Sequence, residues 1–175
     1  LRVTTMDVGG GGAVLIQSPT GRTALIASGP SPVGLADALG RRLPLLDSGI
    51  DALLITGSPS ENCAGLQDLE GRYPIALAII PTQISSPGCR AAEAALVASG
   101  TQCLRAASGM ALDLGGGASL DLLVSDSGLV LTLSYGRARL LLPWGADPDM
   151  IRTRLASGEL PEAQVLILGG RGYAA

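Results

Sequence analysis

Histidine is absent from all 175 residues, phenylalanine is absent too, and all 12 basic side chains are arginine because there is no lysine. Each absence closes a class of function. Without imidazole no zinc set of mixed Cys and His ligands can be completed, and no serine or cysteine nucleophile has the usual base beside it. With no Phe, three Tyr and one Trp, the core must be built from Leu, Ile, Val and Ala. An aliphatic core of that kind suits a sheet covered by helices better than an aromatic-centred sandwich. Fifteen acidic residues outweigh the basic ones to a net charge of −3, and Arg41-Arg42 is the one adjacent basic pair. That is a solvated helix end rather than the basic patch that phosphate neutralisation requires of a nucleic-acid module.

Cysteine is scarce as well. Cys63, Cys89 and Cys103 are an odd number without Cys-x-x-Cys spacing, which argues against a zinc ribbon or a multi-disulfide framework. One disulfide with a leftover thiol stays open, and with it the redox compartment. No apolar run approaches the ~18 residues that cross a bilayer. Leu1 opens directly in a strand-like pattern, without Met or a charged signal region, and the chain stops at Tyr173-Ala174-Ala175. The expectation is a single domain, 1–175, excised from a longer protein.

What is present reads as layered α/β. Leu1 to Met6, Ala13 to Gln17 and Thr23 to Ala27 form an antiparallel meander. Its first turn, Gly9 to Gly12, leads into a strand rather than a helix, so it is a hairpin and not a phosphate loop. A helix is predicted over Gly34 to Leu43, closed by Pro44, and Ile50 to Thr56 and Ile75 to Ile80 are apolar runs of buried-strand length. Helices are expected near Ala64 to Glu70 and over Arg90 to Ala98, with Gly100 as C-cap. This alternation implies parallel pairing. Strands follow at Gln102 to Arg105, Met110 to Leu112, Ser119 to Val124, Leu129 to Tyr135 and Arg137 to Leu142. A helix from Pro148 to Ala156, with Asp147 as N-cap, precedes a last strand, Gln164 to Leu168. A meander followed by helix–strand units in both halves fits two mixed sheets with outer helices.

With that order in place, five segments carry a resemblance. The opening, Asp7-Val8-Gly9-Gly10-Gly11-Gly12-Ala13 between two strands, resembles the Asp-Val-Gly-Gln-Gly-Asp-Ala opening of the metallo-β-lactamase-like domain of ComEC-type competence proteins, the membrane channel proteins of bacterial DNA uptake. Ala27-Ser28-Gly29 stands where that family has Asp-Gly-Gly. The family's metal motif, Thr-His-x-His-x-Asp-His before Gly-Gly-Leu, corresponds to Thr56, Gly57, Pro59, Glu61 and Asn62 before Ala64-Gly65-Leu66. Its Leu-Leu-Thr-Gly-Asp segment corresponds to Leu141 to Gly145, and its Val-Pro-His-His-Gly to Leu168-Gly169-Gly170-Arg171-Gly172, so that both histidine positions are lost. Gly57, Pro59, Glu61, Asn62, Gly145 and Gly170 are thus degenerate metal-motif positions.

The resemblance implies a four-layer αββα sandwich of two mixed sheets, truncated at its C-terminus. It also implies DNA hydrolysis with zinc or manganese in active relatives, and no cofactor here. The expected partners are the transmembrane channel part of the same parent and, weakly, single-stranded DNA. The expected location is an extracytoplasmic domain of a parent in the cytoplasmic membrane. Two other readings stand beside a catalytically dead structural or docking domain. One is a module that guides DNA without cutting it. The other is a hydrolase with altered chemistry around Glu61 and Cys63, whose residual site would gather Asp7, Glu61, Cys63 and Asp126. A thiol at a helix N-terminus is acidified, but Cys63 has no histidine base and stands where the family has an apolar residue, so a small buried residue is the preferred reading. Trp144 is read as a plug for the vacated pocket rather than an exposed contact.

Overall fold

The computed structural model describes residues 1–8, 12–28, 32–43, 49–56, 63, 66, 69, 71–83, 86–124, 128–144 and 146–168, with the backbone alone at 28, 32, 33 and 148. The first sheet runs in sequence order from β1 to β6: β1 (Arg2–Asp7), β2 (Gly12–Gln17), β3 (Thr23–Ser28), β4 (Ile50–Ile55), β5 (Ile75–Ile80) and β6 (Gln102–Arg105). Strands β1 to β3 pair antiparallel, and β3 to β6 pair parallel. Helices α1 (Pro32–Gly40) and α2 (Pro87–Ala98) cover this sheet. The second sheet holds β7 (Ala111–Gly115), β8 (Ala118–Val124), β9 (Leu129–Tyr135), β10 (Ala138–Trp144) and β11 (Val165–Leu166), in the order β11-β10-β9-β8-β7. Helix α3 (Pro148–Ala156) links β10 to β11, which pair parallel.

Side-chain alternation builds the layers. Leu15, Leu25, Leu53 and Ile55 turn toward α1 and α2, whereas Val14, Ile16, Ile26 and Leu54 turn toward the second sheet. Because both faces of β2, β3 and β4 are covered, their sequences read as continuous apolar runs rather than alternating ones. On β9, Leu129, Leu131 and Leu133 point inward, while Val130 joins Leu141, Ala146 and Leu160 in a smaller outer cluster with Met150 and Ile151 of α3. The result is the four-layer αββα sandwich of two mixed sheets that the sequence predicts.

Most element bounds agree with expectation to within two residues. Helix α1 ends at Gly40, three residues short of the expected Leu43. Helix α2 starts at Pro87, a turn earlier than expected, because the Ser86 side chain accepts a hydrogen bond from the Cys89 N–H at 3.1 Å and Pro87 takes the first helical position. The Ser-Pro signal was legible there. Strand β7 runs on to Gly115, past the expected Leu112, and β11 is cut to Val165–Leu166. The expected helix near 64–70 lies mostly outside the described residues; Leu66 and Leu69 take part in turns of i to i+3 spacing. The Gly136-Arg137 hairpin joins Tyr135 to Ala138 as expected, with Gly136 at a φ of +59°.

The two sheets are tied at one pole. Thr20 Oγ1 donates to the Leu114 carbonyl at 3.2 Å, and Arg22 Nη1 to the Asp113 carbonyl at 2.9 Å. Gly115 lies under this contact with a φ of +79°, and a Cβ there would overlap Thr20 Oγ1. Gly115→Ala is therefore expected to lower stability by about 1–3 kcal/mol, combining an unfavourable φ with displacement of Thr20. Denaturant unfolding measures this, and a change within about 0.5 kcal/mol would show that the pole is not tightly packed.

Candidate functional site

At the opposite pole lie described residues that flank the segments carrying the resemblance. Asp7 pairs with Gly12, Gly12 with Ser28 and Ala27 with Ile55, so the ends of β1, β3 and β4 open on one side. In the second sheet Trp144 pairs with Leu129 and Leu129 with Val124, at the end remote from the Thr20–Leu114 contact. The β4 end, the first turn of α2 and the β10 end therefore share this pole. Of the expected site residues, Asp7, Thr56, Cys63 and Trp144 are described there. Gly57, Pro59, Glu61, Asn62, Asp126, Gly145 and Gly170 lie outside the described residues.

Cys63 and Cys89 form a disulfide, with a Cα–Cα separation of 5.1 Å, and only 1% and 4% of the two residues is exposed. This corrects Cys63 as a member of a residual site. A disulfide sulfur has no proton to lose and is not a thiolate nucleophile, so the buried-residue reading holds. It also resolves the open cysteine alternatives as one disulfide with a leftover thiol at Cys103. Burial pushes the Cys103 thiol above its ordinary pKa; Glu93 adds to the shift and Arg105 opposes it. Because the raised value holds the folded thiol neutral, its contribution to stability is full below the unfolded-state pKa and is lost as pH rises through the folded one.

Trp144 is 3% exposed and packs in the core between the sheets, and its Nε1–H donates to the Ile167 carbonyl at 3.1 Å. The ring thus closes the sandwich at this pole and ties β10 to the segment after β11, as a plug and not as an exposed contact. Thr56, 1% exposed just after the end of β4, has an Oγ1 with no hydrogen-bond partner among the described residues. A buried unpaired hydroxyl costs stability, so Thr56→Val, which keeps the shape, is expected to be neutral or stabilising by up to about 1–2 kcal/mol. A loss above 1 kcal/mol in urea unfolding would mean that the hydroxyl has a partner in solution.

The donor chemistry does not fit a binuclear hydrolase centre. Such a centre draws imidazoles and carboxylates onto two metals. The sequence has no imidazole, one nearby sulfur is held in a disulfide, and among the described residues no three His, Cys, Asp or Glu side chains converge. No helix among the described residues is long and apolar enough to cross a membrane.

No protein-family model and no curated protein matches this chain. Solved structures do. The metal-soaked Flv1 flavodiiron core from Synechocystis sp. PCC6803 superposes with a TM-score of 0.62 at 17% identity, over 90% of this chain and 47% of that one. A metallo-β-lactamase from Pontibacter korlensis gives 0.59 at 13% identity, over 95% of this chain and 84% of that one. Zinc-bound PqqB from Methylobacterium extorquens gives 0.57 at 16% identity, over 89% of this chain and 56% of that one. The chain spans about half the length of PqqB and of the Flv1 core. The fold is therefore that of the metallo-β-lactamases. At these identities the likeness establishes the architecture alone, and what this pole does must be argued from its own residues.

Proposed function

We propose that this chain is a non-catalytic metallo-β-lactamase-like domain of a ComEC-type DNA-internalisation protein, retained for a structural or docking role beside the transmembrane channel of its parent. The observation that carries the loss of catalysis is the pole itself. On a metallo-β-lactamase fold the sequence supplies no imidazole, and a disulfide and a buried tryptophan lie at the pole where β1, β3, β4 and β10 end. The assignment to ComEC-type proteins rests on the ordered resemblance from Asp7 to Gly172. The disulfide supports an extracytoplasmic position, since such bonds form and persist in oxidising compartments.

The test is metal content and nuclease activity of the purified chain. After incubation with zinc or manganese and desalting, elemental analysis is expected to find well under one metal per chain, and single-stranded DNA is expected to stay intact. Stoichiometric metal together with chelator-sensitive cleavage would overturn the proposal. Retention on single-stranded DNA at low salt, lost as salt rises, would instead favour a module that guides DNA without cutting it.

A further inference from the structure

The pole remote from the candidate site gathers arginines that lie far apart in sequence. Arg2 pairs with Gln17 and Gln17 with Thr23, so Arg2 stands at the end of the sheet where the β2–β3 turn holds Arg22. The Ile50 N–H donates to the Pro74 carbonyl at 2.8 Å, which sets Arg72 at the same end. A Cβ on Gly40 would meet Tyr73 Oη at 3.5 Å, so Arg41, just after α1, comes to this end as well. In the second sheet Gly115 lies under Thr20 and pairs with Ala118, and Ala118 pairs with Tyr135. The tip of the β9–β10 hairpin therefore adds Arg137, with Arg139 just inside it.

All six of these side chains are exposed, and none makes an ion pair among the described residues. Away from this end, by contrast, Arg105 is paired with Glu93 at 2.8 Å and Arg152 with Asp149 at 2.9 Å. The described carboxylates at this end are fewer. Glu159 is held by Arg154, Asp51 accepts from the Thr23 N–H at 2.6 Å and Asp113 from the Gly115 N–H at 2.8 Å, and Glu162 precedes β11. Positive charge is thus in excess among the described residues of this pole, on a chain whose net charge is −3. Strands of six or seven residues put the opposite pole about 20 Å away. That is more than twice the Debye length of about 8 Å at physiological ionic strength, so acidic groups there do not cancel the excess for a partner that touches this end.

Guanidinium groups favour phosphate, whose oxygens they bind in pairs. Phosphate is presented by nucleic acids and by lipid headgroups, and the layout selects between them. A single nucleic-acid strand is held along a groove that offers several aromatic platforms. Here the arginines are spread over the end of the α1 layer and of both sheets, and the exposed aromatic among the described residues of this pole is Tyr135 alone, at 38%. We infer that this pole is a docking surface for an anionic lipid bilayer, whose headgroups meet the arginines of all three layers at once. Tyr135, next to the Gly136-Arg137 tip, suits that boundary because its ring is apolar and its hydroxyl is wet. The inference stands on the charge layout and depends neither on the parent proposed for the domain nor on its loss of catalysis.

Flotation of the full chain with lipid vesicles tests it. Binding is expected to equimolar phosphatidylcholine and phosphatidylglycerol vesicles at low salt, to fade as salt rises, and to be absent with phosphatidylcholine alone. Each arginine near such a surface changes partitioning by about fivefold. Arg137→Gln with Arg139→Gln, and separately Arg41→Gln with Arg72→Gln, should therefore each weaken binding by roughly tenfold or more while circular dichroism stays native. Arg105→Gln, at the opposite pole, should leave binding unchanged. No binding to the anionic vesicles at low salt overturns the inference. So does an equal loss in Arg105→Gln, since binding would then follow net charge rather than this pole. Tighter capture of single-stranded DNA than of anionic vesicles at equal phosphate concentration, lost in the same paired variants, overturns it in favour of a nucleic-acid partner.

Discussion

Replacing Cys63 and Cys89 together by alanine is expected to lower the unfolding free energy by about 3.5 kcal/mol, the chain-entropy value for a sequence separation of 26 residues. For a domain of this size that is a fall on the order of 10 °C in melting temperature. The bond joins residues that the fold already brings together, so most of its effect lies in restricting the unfolded chain. Cys63 stands in the segment between β4 and β5, and Cys89 sits in the first turn of α2, where the Ser86 cap and Pro87 fix the helix start. Reduction of the wild-type protein should reproduce the mutant's melting curve. Thiol titration in denaturant should find one thiol, Cys103, before reduction and three after it. A double mutant within 1 kcal/mol of wild type would mean that the bond does not constrain the unfolded chain as the entropy model requires.

The second large effect falls on Trp144. Trp144→Ala removes the largest side chain from the core between the sheets at this pole and is expected to cost about 3–5 kcal/mol. Trp144→Phe keeps most of the buried area but leaves the Ile167 carbonyl without its donor, and should cost about 1–3 kcal/mol. The order of the two losses separates packing from hydrogen bonding. Were the ring a surface contact, both substitutions would stay within about 0.5 kcal/mol, and equal small losses in chemical denaturation would refute the plug.

The disulfide and Trp144 also mark the reach of sequence reasoning. The succession of strands was legible because both faces of β2 to β4 are covered, so that runs such as Ala24 to Ala27 and Ala52 to Ile55 lack polar interruptions. The start of α3 was legible because its cap is local: Asp147 accepts from the Asp149 N–H at 2.9 Å, and Pro148 needs no donor. The pairing of Cys63 with Cys89 was not, since three cysteines permit several pairings and nothing local distinguishes Cys89 from Cys103. The unpaired hydroxyl of Thr56 was invisible for the same reason, as a hydrogen-bond deficit is a property of everything packed around an atom.

The sequence by itself determined two things. Its runs and turns specify two mixed sheets with outer helices, because periodicity and capping act over a few residues. Its lack of histidine removes imidazole chemistry, because no fold can supply a side chain that the chain does not contain. Only the tertiary structure decided which cysteines pair and that Trp144 lies inside rather than on the surface. Each of these depends on contacts between segments distant in sequence, whose geometry is set by how the two sheets stack.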